Sequence, residues 1–447
     1  MNTSTLAMAV AVGVLAQQAN AAGFIEDSKA TLGLRNFYIN TDYRDGTGPN
    51  KNEEWGQGFD LRFISGYTQG TVGFGIDAIG LLGVKLDSGG GTNGATATSY
   101  GGTVFPSKSN GEAVDDFSSL GLTAKAKVSQ TELKLGTLQP KLPVIVTNDG
   151  RLLPQTWQGG QISSSDIKNL TLIGGQIEAV KGRNSSNNEQ MSISGANTRG
   201  TKFRDSNKFI YAGGDYKITK DLTAQYYYGN LEEFYKQHFL GLVHSWAIGP
   251  GVLKSDFRYF NSSDDGANGH DPLFFSTGNY SGAANGKGKV DNNLYSGLFL
   301  YSVAGHTFGG GYQVSNGSSD FPWLNQGDGS SAYIITDSQI QKFARAGERT
   351  WQARYAYDFV TVGVPGLTAG LVYLHGDNID TVNSKGGVAA NGASEWERDL
   401  SVAYVIQDGP LKNLGLAWKN ATWRTDLPNT RSQDENRLIL SYSIPLL

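Results

Sequence analysis

Short runs in which apolar and polar residues alternate are the feature of this sequence that most constrains its fold. In residues 59–63, for example, apolar side chains alternate with Asp60 and Arg62. A period of two places successive side chains on opposite faces of a β-strand. The same pattern recurs in the segments 120–129, 253–259, 351–359 and 437–446. The sequence therefore predicts an all-β chain whose strands have one apolar and one polar face.

The N-terminal segment has the character of an export signal. Residues 6–16 form an apolar run, and Ala19-Asn20-Ala21 has the small-x-small form that signal peptidase cleaves. The run is shorter than the roughly 18 residues that a membrane-spanning helix needs, and no later segment is long enough. We therefore expect a cleaved signal peptide at residues 1–21 and a single domain at residues 22–447.

Composition excludes several classes of function. The 447 residues include no cysteine, which excludes disulfides, thiol metal centres and thiol catalysis. The 37 Lys and Arg residues are outnumbered by 41 Asp and Glu, so the basic excess typical of nucleic-acid binding is missing. The five histidines show no metal-ligand spacing. We expect no metal, no cofactor and no nucleic-acid partner.

Two architectures can use amphipathic strands. A soluble β-sandwich buries the apolar face, whereas an outer-membrane barrel turns that face to lipid and its polar face to an aqueous lumen. Aromatic residues near strand ends, as at 226–228, Trp418 and Trp423, favour the barrel, as do mixed short and long connections. An amphipathic strand at the C-terminus can close the ring. We expect a transmembrane antiparallel β-barrel.

Several cations fall on the predicted polar faces of these strands. They are Arg35, Arg62, Lys125, Lys127, Arg354, Lys419 and Arg437. In a water-filled lumen such a series attracts anions, and Arg suits carboxylates because its guanidinium donates two parallel hydrogen bonds. The alternative is that these residues are ordinary solvated charges, and the pattern alone leaves both interpretations open.

The segment 138–160 interrupts the alternation and contains three prolines. If this stiff loop folds into the lumen, it narrows the pore and brings Asp149 and Arg151 to the constriction. If it folds outward, it is one more extracellular loop.

Residues 148–156 (Asn-Asp-Gly-Arg-Leu-Leu-Pro-Gln-Thr) resemble the constriction-loop motif of the OprD family of substrate-specific outer-membrane porins. Further motifs similar to that family follow in one order at 23–28, 228–232, 237–239, 363–368, 376–380 and 409–413. The resemblance implies an eighteen-stranded barrel with an inward-folded constriction loop. It also implies location among the lipids of a Gram-negative outer membrane, as a monomer or a loose trimer.

The resemblance further implies roles for individual residues. The family guides carboxylates along a ladder of basic side chains, past a constriction that includes an acidic residue. By motif, Asp149 and Arg151 occupy the constriction. The implied ladder positions are Arg35, Arg62, Arg398, Lys419 and Arg437, with Arg44 and Arg183 as further candidates. Position 419 is Lys where the family often has Arg, which implies a looser grip on the carboxylate there.

The substrate class follows from the balance of charge. The family is divided between channels for basic amino acids and channels for cyclic or aromatic monocarboxylates. Cations outnumber anions on the predicted polar faces, where Asp149 and Asp256 are the clearest acidic candidates. We therefore expect passive uptake of small carboxylates, aromatic or cyclic ones similar to benzoate or vanillate.

Three alternatives remain open from the sequence. Within the same family, the chain can be a channel for basic amino acids or peptides. A general diffusion pore uses the same barrel without a specific site. A secreted or outer-membrane hydrolase requires a pair of carboxylates, for which Glu232 with Glu233, or Glu395 with Glu397, are available.

Overall fold

The computed structural model describes residues 23–46, 48, 50–87, 102–193, 205–266, 289–324, 331–380 and 390–447. The predicted signal peptide at residues 1–21 lies outside these described residues. Phe359–Val362 is a single 3-10 turn. Among the described residues, no helix is both long and apolar enough to cross a bilayer.

β-strands make up almost all of the regular structure in these ranges. In chain order they are β1 (Lys29–Tyr43), β2 (Lys51–Ile64), β3 (Gly73–Asp87), β4 (Asp116–Val128), β5 (Thr131–Leu138), β6 (Lys141–Leu142), β7 (Ile145–Val146), β8 (Thr156–Ser164), β9 (Leu170–Lys181), β10 (Phe209–Lys217), β11 (Leu222–Leu231), β12 (Tyr235–Ile248), β13 (Gly251–Asp264), β14 (Asp291–Val303), β15 (His306–Gly317), β16 (Arg349–Asp358), β17 (Leu367–Ile379), β18 (Ala393–Val405), β19 (Gly415–Thr425) and β20 (Gln433–Pro445). Strands β6 and β7 pair as a small separate hairpin, and the other 18 form one sheet.

The large sheet closes on itself. Each of its strands pairs antiparallel with the next one along the chain, and β5 pairs with β8 across the small hairpin. The first strand also pairs with the last, from Thr31 opposite Pro445 to Tyr43 opposite Gln433. The 18-stranded antiparallel barrel is therefore confirmed, and the C-terminal strand closes it as predicted.

Alternation along each strand sorts side chains between the two surfaces of the barrel. On β20, Leu438 and Leu440 are exposed on the outside, whereas Glu435 and Arg437 point inward and are buried. A lipid-facing surface tolerates apolar side chains, and the polar ones line the lumen. The segments 59–63, 120–129, 253–259, 351–359 and 437–446 all fall largely or wholly within strands, as their alternation predicted.

Aromatic side chains form a girdle near each end of the outer surface. Towards one end, the rings of Tyr259 and Tyr295 stack with centroids 4.9 Å apart. Towards the other, the rings of Phe308 and Tyr355 lie 5.3 Å apart. Such rings occupy the two membrane–water interfaces of outer-membrane barrels.

The connections differ in length between the two rims. One rim has tight turns, such as 129–130, 249–250 and 304–305. The first residue of β1 and the last residue of β20 lie at this same rim. At 304–305 the glycine adopts a φ of 82°, which side chains with a Cβ disfavour. At the other rim, the strand ends are separated by the longest stretches of sequence, 88–115, 182–208, 265–290 and 318–348. Short periplasmic turns and long extracellular loops are typical of this architecture.

The lumen towards the long-loop rim is partly filled by packed side chains. Phe37 on β1 packs in one cluster with Phe105 and Leu152, which come from two different connections. A Cβ at Gly56 would lie 2.6 Å from the Phe105 ring, and one at Gly58 would lie 2.9 Å from the Leu152 carbonyl oxygen. Glycine at these two positions of β2 therefore lets both connections approach the barrel wall.

The assignment of faces is testable by moving a charge. Leu440→Lys should destabilise the inserted barrel by about 2–4 kcal/mol, because it places an ammonium against lipid. The matched change Ser443→Lys puts the same charge on the exposed lumenal face of the same strand and should cost little. Urea unfolding from phospholipid vesicles measures both free energies. Equal losses for the two variants would contradict the assignment.

Candidate functional site: a constriction built from two connections

The first part of the site is the constriction loop, residues 139–155, which joins β5 to β8 and folds into the lumen. It ends in a closed turn, in which the Gln155 N–H donates to the Asn148 carbonyl at 2.9 Å. The Gln155 side chain accepts from the Asn148 N–H at 3.2 Å. Leu152 and Leu153 are fully buried against the wall. Burial of each leucine side chain stabilises the folded loop by about 1.5–3 kcal/mol. This burial holds the loop inside and confirms the inward-folded alternative.

Arg35 on β1 fixes the tip of the constriction loop. Its guanidinium donates to both carboxylate oxygens of Asp149, at 2.7 and 3.2 Å. It also donates to the carbonyl of Arg151 at 2.7 Å. Because both side chains of the ion pair are partly exposed, water screens their attraction, and the main effect is geometric. Arg35 therefore acts as a positioning residue for Asp149 and Arg151.

Arg151 is held less completely than Arg35. Its Nη1 donates to the Gly150 carbonyl at 3.1 Å, and its Nη2 lies 3.8 Å from Oε2 of Glu435 on β20. Its Nε is buried and has no hydrogen-bond partner among the described residues. A buried donor without a partner costs about 1–3 kcal/mol, so the hydrogen-bonding capacity of the Arg151 guanidinium is incompletely satisfied.

A second connection also folds into the lumen, and the sequence analysis missed it. The backbone N–H groups of Gln339, Ile340 and Gln341 donate to the carboxylate of Glu397 on β18 at 3.1, 2.9 and 2.8 Å. Asp399, two residues further along the same face, accepts a hydrogen bond from Ser338. The alternation of Glu395, Glu397 and Asp399 along β18 was the available signal, since three acids on one inward face need donors. We call residues 331–348 the clamped segment.

The clamped segment also contacts strand β13 of the barrel wall and the constriction loop. Tyr333 lies with its ring 3.9 Å from the Arg258 guanidinium, which in turn forms a bidentate pair with Asp256 at 2.9 and 2.7 Å. The Asn148 side chain donates to the Ser331 hydroxyl at 2.8 Å. The two inward segments therefore support each other.

The C-terminal end of the clamped segment is held by an acidic pair. Glu395 accepts from the Arg345 guanidinium at 3.4 Å and from the Trp423 indole at 2.9 Å. Burial, together with the nearby Glu395 carboxylate, raises the pKa of Glu348 well above its usual value. The protonated form of Glu348 is thereby favoured. Glu395 and Glu397, one of the two pairs available to the hydrolase alternative, are both occupied in holding this segment. In the other pair, Glu232 accepts from Lys208 at 2.8 Å.

Lys419 on β19 and Arg437 on β20 lie directly opposite each other on the lumenal face. Arg437 is neutralised, because it donates to Glu435 at 2.6 Å and to the Gln339 carbonyl at 2.8 Å. Lys419 is exposed, and its ammonium makes no hydrogen bond or ion pair with any residue that the structure describes. Like charges directly opposite each other in a sheet are unfavourable. The arrangement therefore leaves one ammonium without a direct partner beside the constriction, attracted only at longer range by the carboxylates of Asp399 and Glu435.

The other predicted lumenal cations are also inward, but each has a partner. Arg62 forms a bidentate pair with Asp60 at 2.9 and 2.7 Å. Lys125 is buried 2.6 Å from Asp77, and Lys127 lies 5.7 Å from the centroid of the Tyr67 ring. Arg354 donates to the Ile335 carbonyl at 2.6 Å and to the Gln352 side chain. Because each of these cations is already engaged by a neighbouring group, its main effect is to stabilise the lumen wall, and it attracts a solute only weakly.

The assignment of Arg398 to the lumen is wrong. It alternates with the inward Glu397 and Asp399, so its side chain lies on the outer surface. There it donates to Asn420 at 3.1 Å and to Thr422 at 2.9 Å. Arg398 therefore cannot be a step of a lumenal ladder.

Arg44 and Arg183 also lie away from the lumenal path. Arg44 lies at the long-loop rim and pairs with Asp434 at 2.7 Å. Arg183 is buried and donates to Asn148 at 2.8 Å, so it supports the constriction loop. The aromatic prediction needs one correction as well, because Trp423 faces inward and is buried.

Comparison with known proteins agrees with this geometry. Residues 22–446 match the model of the family described as outer membrane porin, OprD family. The porin-like protein GalP of Pseudomonas putida is 38% identical over 96% of this chain and 95% of its own length. The crystal structure of Pseudomonas aeruginosa OccK8 (OprE) is 60% identical, with a TM-score of 0.85 over 95% of this chain and 100% of that chain. That of P. aeruginosa OpdK with vanillate is 36% identical, with a TM-score of 0.81 over 95% and 100%.

The ion pair between Arg35 and Asp149 at the tip of the constriction loop can be tested by its effect on the noise of the single-channel current. Arg35→Gln and Asp149→Asn should each at least double the open-channel noise, because either change frees the tip of the constriction loop. The double variant should be no noisier than the noisier single variant, since both changes remove one interaction. Arg44→Gln is the control, because Arg44 pairs at the rim. Additive noise from the two changes would show that Arg35 and Asp149 act independently.

Proposed function

The chain belongs to the OprD family of outer membrane porins, and on that premise we propose that it takes up small carboxylates by passive diffusion through a specific site. The proposed permeants are aromatic or cyclic monocarboxylates of the size of benzoate or vanillate. The barrel lies in the outer membrane of a Gram-negative bacterium, so the solute moves from the exterior to the periplasm down its concentration gradient. The proposal involves no chemical step and no bound cofactor.

One observation carries the proposal: the ammonium of Lys419 lies opposite Arg437 and has no direct ion-pair partner among the described residues. The cross-strand pair places two positive groups on one lumenal patch. Glu435 pairs directly with Arg437, whereas Glu435 and Asp399 attract Lys419 only from a distance. A carboxylate bound at Lys419 removes this imbalance with charge-assisted hydrogen bonds, which are about twice as strong as neutral ones.

The neighbouring groups favour an anion over a cation. Glu435 is shared between Arg437 and Arg151, and Asp149 is held by Arg35. A basic amino acid needs free carboxylates for its ammonium or guanidinium group, and these acids are already engaged. An incoming carboxylate, in contrast, meets the unpaired Lys419 and the incompletely bonded Arg151. Vanillate, the molecule present with the related OpdK, belongs to this substrate class.

The proposed path has three stages. A carboxylate enters from the long-loop rim between the constriction loop and the clamped segment. It is then bound at mid-barrel by Lys419 and competes with Glu435 for Arg151, whose contact with Glu435 is long, at 3.8 Å. Finally it passes Arg62, two residues from the short-turn end of β2, and leaves into the periplasm. Weak successive sites permit both entry and release.

The role of Lys419 is tested by single-channel recording with benzoate. Lys419→Gln should weaken concentration-dependent blocking by about tenfold, a loss of about 1.4 kcal/mol. Lys419→Arg should retain or strengthen it, because the guanidinium binds carboxylate in a bidentate manner. Lys168→Gln, in the turn between β8 and β9, is the matched control. Unchanged blocking in Lys419→Gln would remove this residue from the proposed path.

A further inference from the structure

A cavity of about 590 Å³ lies beneath the constriction loop, on its periplasmic side. The barrel wall of β2, β3, β4, β5 and β8 forms its floor, and residues 138–149 form its roof. Most of its wall residues come from the short-turn halves of their strands, including Arg62, Asp77 and Thr123. The volume is within the roughly 300–1,000 Å³ range of small-molecule sites. A solute that has crossed the constriction passes the mouth of this cavity.

The charges around the cavity leave a positive excess. Asp60 is neutralised by Arg62, Asp77 by Lys125, and Asp149 by Arg35. Lys134 is likewise paired with Glu132, at 3.0 Å. Lys141, on the β6 strand of the roof, is exposed, and its ammonium makes no hydrogen bond or ion pair within the described parts of the chain. The cavity therefore presents one free ammonium among compensated pairs.

The guanidinium of Arg62 adds directional donors to this site. Its Nε and Nη2 donate to Asp60, whereas no described residue accepts from its Nη1. Arg62 lines the same cavity as Lys141. A carboxylate can therefore be held by a lysine of the roof and an arginine of the floor.

Neutral hydrogen-bonding groups surround the two cations. The cavity is lined by the hydroxyls of Thr123, Thr137 and Thr147 and by the amides of Gln139 and Gln161. The Gln161 Oε1 accepts from Tyr211 at 2.9 Å, which fixes the amide with its NH₂ group still able to donate. Such a lining suits a solute with hydroxyl groups better than a purely apolar ring.

We propose that this cavity is a second binding station, specific for carboxylates that carry hydroxyl groups, with Lys141 and Arg62 holding the carboxylate. The inference rests on the proposed function, since it supposes that carboxylates pass the constriction. It adds a preference that Lys419 alone does not provide: a hydroxylated ring is retained beneath the loop, whereas an unsubstituted ring passes through. Solute that enters from the periplasmic side reaches this station without crossing the constriction.

The test compares benzoate with 3,4-dihydroxybenzoate in single-channel recordings from oriented channels. Because the chain has no native cysteine, Lys220→Cys at the short-turn rim allows side-specific labelling to establish orientation. Each probe is added to the periplasmic side of wild type, Lys141→Gln and the control Lys168→Gln. We expect longer blocking events with 3,4-dihydroxybenzoate than with benzoate in wild type. Lys141→Gln should shorten the 3,4-dihydroxybenzoate events at least threefold and leave benzoate events unchanged.

The outcomes separate this inference from the proposed function. If both probes block the wild-type channel but Lys141→Gln changes neither, the second station is disproved and the role of Lys419 stands. Equal event durations for the two probes in wild type overturn the preference for hydroxyl groups. If neither probe blocks the wild-type channel from either side, the proposed function fails, and the second station fails with it.

Discussion

The constraint on which the structure depends is that no backbone N–H or C=O group in the hydrocarbon core can hydrogen-bond to water. A sheet satisfies this condition only by closing, which here requires β1 to pair with β20 across the whole strand. Closure gives the chain an interior surface out of contact with lipid. Polar side chains, which would be unfavourable against lipid, lie on this interior surface. They hold the inward-folded loops by hydrogen bonds and also form the site for a solute.

Within the lumen, carboxylates and cations have different tasks. Glu397 binds three successive N–H groups of the clamped segment, and Glu54 does the same for the N–H groups of residues 103–105. Buried carboxylates therefore accept hydrogen bonds from the backbone N–H groups of the inward-folded segments, which a neighbouring strand would accept in a sheet. Most cations are in turn paired with acids or carbonyl groups. The local charge that a solute meets is set by the exceptions, of which Lys419 is the clearest.

The sequence predicted the barrel because a period of two is local, and a few residues of each strand are enough to show it. It predicted the constriction loop through prolines and a motif in one continuous segment. It could not assign Arg398, since Glu397, Arg398 and Asp399 are consecutive and a shift of one residue exchanges the faces. The clamped segment was missed because its contacts join residues about 60 positions apart, such as Gln339 and Glu397. The row of acids on β18 shows that donors are needed, but no local pattern shows which segment supplies them.

The most direct test of the account is the reversal potential of wild-type channels in a gradient of arginine benzoate. The two ions of this salt represent the two substrate classes, so the sign of the potential shows which one permeates better. An uncompensated lumenal cation predicts a reversal potential of the sign of the benzoate equilibrium potential. A potential of the opposite sign would contradict the carboxylate assignment and place the chain among channels for basic amino acids.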